Sequence, residues 1–98
     1  MFVKWNVDVR YRVRFASEHG QVLEFVVQLE VAVGEEWKPV VRYDTAHFAH
    51  CVRYDPDGTV QQHETLPVRN FNQGLTLATQ TVRVHWEDLV RPFREKTP

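Results

Sequence analysis

From Val3 to Phe15 every odd position is apolar (Val3, Trp5, Val7, Val9, Tyr11, Val13, Phe15), and the even positions Lys4 to Arg14 are polar or charged. A strict period of two predicts one long strand with a buried and a wet face. Residues 22–33 repeat the pattern, with Leu23, Phe25, Val27, Leu29, Val31 and Val33 on one side and Glu24, Gln28 and Glu30 on the other. Between them, Glu18-His19-Gly20 reads as a three-residue loop with Gly20 in the left-handed position. That loop pairs Ser17 with Gln21, Phe15 with Leu23 and Arg14 with Glu24, so the two apolar faces coincide.

Gly34-Glu35 predicts a two-residue turn into a third strand, 36–44. Uninterrupted pairing from Val33–Glu36 then sets Leu29 opposite Val40, Val27 opposite Arg42 and Phe25 opposite Asp44. Val40, Arg42 and Asp44 are thereby expected on the buried face, and Trp37, Val41 and Tyr43 on the outer one. Asp55-Pro56-Asp57-Gly58 is a strong turn signal joining strands 49–55 and 59–65, with Asp55 opposite Thr59. Continued without a break, it places His63 opposite Cys51 and Glu64 opposite His50.

Residues 70–94 carry the helical period: Leu75, Ala78, Val82, Trp86, Leu89 and Phe93 recur at steps of three and four. Asn70 and Gln73 have capping-box spacing, and Pro92 predicts a kink or an end just before it. The apolar stripe needs a surface to lie on, and the odd face of the first hairpin supplies one. The expected fold is α+β: a five-stranded, mostly antiparallel sheet with one long C-terminal helix packed on one face, a single domain over residues 1–98.

Composition narrows the function classes. A formal net charge of −1 argues against a dedicated nucleic-acid binder, which is usually strongly basic overall. The stripe Lys4, Arg10, Arg12, Arg14 can still grip a polyanion locally, or can pair with Glu24 and Glu30. A single cysteine, Cys51, forms no intramolecular disulfide. No apolar run approaches ~18 residues, and the opening Met-Phe-Val-Lys-Trp-Asn carries no signal-peptide pattern. A cytoplasmic protein with no membrane association is the expectation. The outer residues Trp37, Val41 and Tyr43 would leave an apolar patch in water, for which a homodimer or a small protein partner is the natural cover.

The chemistry is concentrated in residues 41–50, where Arg42, Tyr43, Asp44, His47 and His50 stand within ten positions. An odd-length hairpin loop after residue 44 puts Asp44 or Arg42 directly opposite His50. With Glu64 on its other side, His50 becomes an acid/base candidate held between carboxylates, and Arg42 an anion-binding fork. The same residues equally suit a structural polar network that closes the end of the core. His47 and His50 lack the further ligands that zinc requires, so no metal or other cofactor is expected.

The string Trp37-Lys38-Pro39-Val40-Val41-Arg42-Tyr43-Asp44-Thr45-Ala46-His47, followed by Phe48-Ala49-His50, resembles an uncharacterised family of small prokaryotic proteins. In that family the Arg-Tyr-Asp-x-x-His core precedes an Asp-Gly turn (here Asp57-Gly58) and a C-terminal helix with a mid-helix Trp (Trp86). Family members carry a Gly between the first His and the Phe, where this chain runs His47-Phe48 directly. More distantly the segment is similar to TumE-type toxins of bacterial toxin–antitoxin modules. That resemblance implies Arg42, Asp44, His47 and His50 as functional positions, with RNA as a possible target. The expectation carried forward is an RNA-directed acid/base site of Arg42, Asp44, His47, His50 and Glu64, against a non-catalytic interaction module.

Overall fold

The computed structural model describes residues 1–4 and 8–97. Trp5, Asn6 and Val7, which the alternation assigns to the first strand, lie outside the described residues, as do Pro98 and the side chain of Lys4. Six strands form one antiparallel meander in chain order: β1 Phe2–Lys4, β2 Val9–Glu18, β3 Gln21–Val33, β4 Glu36–Asp44, β5 His50–Tyr54 and β6 Val60–Thr65. The helix α1, Phe71–Glu95, follows. The sixth strand comes from the N-terminus. What reads as one strand is a pair, with β1 folded back on β2 so that Val3 lies opposite Tyr11.

The turn between β2 and β3 is shorter than predicted. Glu18 pairs with Gln21, leaving His19 and Gly20 as the corner, with φ of 52° and 77°. Two successive left-handed residues give the hairpin turn whose twist matches the strands, and Gly20 adopts it without a Cβ penalty. A bulge at Ala16/Ser17 then moves the register by another residue, so Phe15 meets Phe25 and Arg14 meets Val26. The two changes together preserve the parity of the faces. Val9 and Tyr11 stay on the buried side, but Arg14 is separated from Glu24.

The β3–β4 register changes parity. Val33 pairs with Glu36 as predicted, yet beyond a bulge at Leu29/Glu30 the partners become Leu29–Val41, Gln28–Arg42, Val27–Tyr43 and Val26–Asp44. Val40 is the extra residue. Its neighbour Pro39 has no N–H to give to a central ladder, which is where a bulge relieves the missing bond. Val41 and Tyr43 therefore turn into the core, at 0% and 4% exposure. Arg42 and Asp44 turn to the opposite face. The expected outer patch of Trp37, Val41 and Tyr43 thus does not form, because Val41 and Tyr43 are buried in the core.

The helix covers β3 and β4, and Ala78, Val82, Val90 and Phe93 join the same buried cluster as Val27, Leu29 and Val41. Gln73 N–H donates to the Asn70 side chain at 2.9 Å, and Gln73 Oε1 accepts from Arg69 N–H at 2.9 Å. Asn72 staples this end to the β2–β3 hairpin, accepting from Val22 N–H and donating to the Gly20 carbonyl. The helix does not end before Pro92 but runs through it to Glu95, and Val90 and Phe93 on either side of the proline are both buried. Gly74 faces the sheet: a Cβ there would lie 3.0 Å from the Phe25 ring and 3.3 Å from the Ala49 Cβ. The Phe25 ring is itself buried and packs edge-on to Phe71, so it has little room to give. Gly74→Leu is expected to destabilise the fold by about 1–3 kcal/mol despite leucine's better helix propensity. An unchanged or raised urea midpoint would show that this contact is loose.

Candidate functional site: a polar chain across the open face

The sheet face away from α1 carries a row of polar side chains at right angles to the strands. Arg10 Nε on β2 donates to Glu30 Oε1 at 2.7 Å, and Arg12 Nε lies 3.6 Å from Glu30 Oε2. On β3, Gln28 Nε2 donates to Glu30 Oε2 at 2.6 Å. Arg42 on β4 reaches Gln28 Oε1 at 3.5 Å and donates through Nε to Asp44 Oδ2 at 2.8 Å. Asp44 Oδ1 contacts His50 Nε2 on β5, and His50 Nδ1 is 2.5 Å from His63 Nε2 on β6. One connected chain therefore crosses five strands. It arises because alternate residues of adjacent strands share a face and stand within side-chain reach.

The two ends differ. Gln28 and Glu30 are buried, at 7% and 6% exposure, although no second layer of described elements covers this face. The arginines lie across them, and the Arg10 guanidinium is stacked between Phe2 and Trp37, 4.3 Å and 4.1 Å from the ring centroids. Stacked cations shield the carboxylate while leaving their own edges free to bond to it. At the other end His50 is mostly covered and His63 is exposed. Burial pushes the Asp44 carboxyl up, but the Arg42 hydrogen bond, the charge of His50 and the Ala46 N–H outweigh it and leave the carboxyl below its ordinary value. Asp44 is thus a carboxylate that accepts only, and it meets His50 Nε2 as an ion-pair contact across the β4–β5 ladder. His50 Nδ1 faces His63 Nε2, and with the shared hydrogen on His63 Nε2 the His63 Nδ1 lone pair is the outer terminus.

Of the predicted site residues, Arg42, Asp44 and His50 come together, with Asp44 directly opposite His50. They do so on the open face and not beneath the helix, for the parity reason given above. Glu64 does not join them. A bulge at Arg53/Tyr54 shifts β6, so that Glu64 pairs with Cys51 and His63 with Val52. His63, expected to face away from His50, takes the place assigned to Glu64. All six residues of β6 are exposed, so no apolar alternation marks its register in the sequence. His47 is exposed in the bend before β5 and bonds to none of the described side chains. Among the described residues no group of three or more metal-ligating side chains could hold an ion.

Residues 2–97 match the DUF7718 family, a domain of unknown function. The chain belongs to that family. No curated protein and no solved structure matches it, so the reading of this DUF7718 domain rests on its own side chains. No helix among its described residues is long and apolar enough to cross a membrane.

Behind Asp44, Tyr43 and Cys51 are neighbours in the core of the DUF7718 domain. Burial pushes the Tyr43 phenol above its ordinary range. It likewise raises the Cys51 thiol to about 11, partly offset by the charge of Arg53. Only the thiolate reacts. At pH 8 an aromatic disulfide reagent should therefore leave the native protein unmodified and titrate one thiol in denaturant; rapid reaction of the native protein would contradict this burial.

Proposed function

We propose that this protein cleaves single-stranded RNA by metal-independent transesterification, with the Asp44–His50–His63 chain as its proton-transfer device. The observation that carries the reading is the exposed His63 imidazole backed by His50, which is in turn held by a carboxylate. A base oriented by a second group, itself oriented by a third, is the arrangement that general-base chemistry requires.

In this reading His63 Nδ1 takes the proton of a ribose 2′-hydroxyl. The 2′-oxygen forms a bond to phosphorus, the bond from phosphorus to the 5′-oxygen breaks, and the imidazolium returns the proton to that leaving oxygen. The products are a 2′,3′-cyclic phosphate and a 5′-hydroxyl. While the proton resides on the enzyme, His63 can pass its Nε2 hydrogen to His50, and the positive charge then rests beside Asp44. Arg42 holds Asp44 in place through the 2.8 Å bond. The inner part of the chain is structural, since Arg10, Glu30 and Gln28 are bonded to one another.

The test is incubation of purified protein with a mixed single-stranded RNA pool, with and without chelator. Chelator-insensitive cleavage leaving cyclic phosphate ends is expected. An intact pool, or cleavage abolished by chelator, would overturn the proposal.

A further inference from the structure

The row of polar side chains ends at a free sheet edge. All six residues of β6 are exposed, and no described strand lies beyond it. The opposite edge, β1, has only three residues, one of the devices that keep a sheet edge from pairing with another chain. No such device protects β6. Neither Pro, Lys nor Arg occurs in Val60–Thr65, and the bulge at Arg53/Tyr54 leaves residues 62–65 in straight pairing. Leu66 N–H donates to the Ala49 carbonyl at 2.9 Å. Main-chain groups of successive residues alternate between the two sides of an antiparallel strand. Glu64 and Gln62 therefore also bond towards β5, whereas Thr65 and His63 direct their N–H and C=O groups outward, where no described group meets them.

We infer that β6 pairs antiparallel with β6 of a second copy, about a two-fold axis at His63. The sequence of the strand selects both the occupant and the register. An axis at Glu64 would set two carboxylates face to face. One at Thr65 would put His63 opposite Pro67, which has no N–H to give. One at Gln62 would put it opposite Gln61, the residue inserted by the bulge. An axis at His63 avoids all three: His63 meets His63 of the second copy through two N–H···O=C bonds, and each Glu64 meets a Gln62. The helix lies over β3 and β4, so the edge is clear. One added strand on each side buries less than the roughly 1,200 Å² of a standard stable interface, which predicts a dimer in exchange with monomer.

The pairing joins two Asp44–His50–His63 rows end to end, with the two His63 Cα atoms about 5.5 Å apart. Its chemical consequence rests on the RNA reading above. The neutral His63 takes the 2′-hydroxyl proton as the 2′-oxygen bonds to phosphorus. The protonated His63 of the second copy gives its proton to the 5′-oxygen as that bond breaks, so one catalytic residue comes from each chain.

Sedimentation of the intact protein without RNA tests the pairing. The mean mass should rise with concentration from 11.6 kDa towards twice that value and no further. Thr65→Pro removes only an outward N–H and should hold the protein at the monomer mass with its thermal midpoint kept. Oxidation of His63→Cys should give a covalent dimer faster than oxidation of Gln62→Cys, because only position 63 faces its own copy. A mass fixed at 11.6 kDa, growth beyond the dimer, a folded Thr65→Pro that still dimerises, or equal cross-linking of the two cysteine variants would overturn the inference. Cleavage per molecule should rise over the same concentrations as the mass; cleavage that ignores assembly would reject the acid role of the second His63. A dimer that leaves RNA intact would retain the pairing and reject the cleavage proposal alone.

Discussion

Alanine at His63 is expected to lower RNA cleavage by roughly 10²–10⁴-fold, the range for removal of a positioned proton-transfer group. The loss should fall on kcat, because His63 handles a proton in the transition state and does not hold the substrate. Stability should change little, since the side chain sits on an exposed edge strand. His50→Ala should also reduce kcat, by a smaller factor, because the terminal imidazole remains but loses its partner. Unlike His63→Ala it should lower the urea midpoint as well, since it uncovers Asp44. The pair of variants therefore separates a catalytic chain from a structural one. Unchanged cleavage by His63→Ala, or equal loss of stability in both variants, would place the whole chain in a structural role.

Glu30→Ala is expected to destabilise the protein by about 2–4 kcal/mol. Removing one partner of a fully buried ion pair costs roughly 3–5 kcal/mol, because the other charge is left uncompensated. Here the value is discounted, since the Arg12 side chain is 41% exposed and recovers water. Arg10 cannot do so fully: it is stacked between Phe2 and Trp37 with its Nε aimed at Glu30. Gln28 Nε2 loses its acceptor at the same time. Against a total stability of about 5–15 kcal/mol this is a large fraction. Glu30→Gln should cost less, because the amide oxygen still accepts one of these hydrogen bonds. Urea unfolding of both variants checks the expectation. A loss below about 1 kcal/mol for Glu30→Ala would mean that water already satisfies the cluster, as it does most surface ion pairs.

Much of this architecture is legible along the chain. The alternation of Val9, Tyr11 and Val13 and of Val27, Leu29 and Val31 identifies which faces are buried, because a period of two admits only one solution per strand. Asp55-Pro56-Asp57-Gly58 forms its turn through local bonds, with Asp55 and Thr59 paired as expected. Asn70 caps the helix as its position implies. The proximity of Asp44 and His50 is also local, since it depends only on the length of the connection between them.

The registers depart from simple alternation where a strand carries one residue too many. Pro39 marks the β3–β4 bulge in the sequence, because a residue without an N–H cannot sit in a central ladder undisturbed. The extra residue at Val40 exchanged the faces of Val41, Arg42, Tyr43 and Asp44. Gln61, on a strand polar throughout, gave no comparable warning, and its insertion replaced Glu64 with His63 beside His50. Asn72 is likewise unreadable as a contact, since its partners Gly20 and Val22 are about fifty residues away and belong to a turn.

The amino-acid sequence by itself determined the elements from β3 to α1, the buried stripes of β2, β3 and α1, and the residue types able to carry proton chemistry, because these follow from side-chain type and short-range spacing. The tertiary structure alone decided which face carries Arg42, Asp44 and His50, that His63 completes their row, and that Arg14 and Glu24 remain unpaired. The physical reason is parity: pairing between strands is cooperative over their whole length. One inserted residue is cheap in local energy, yet it reverses the direction of every side chain beyond it.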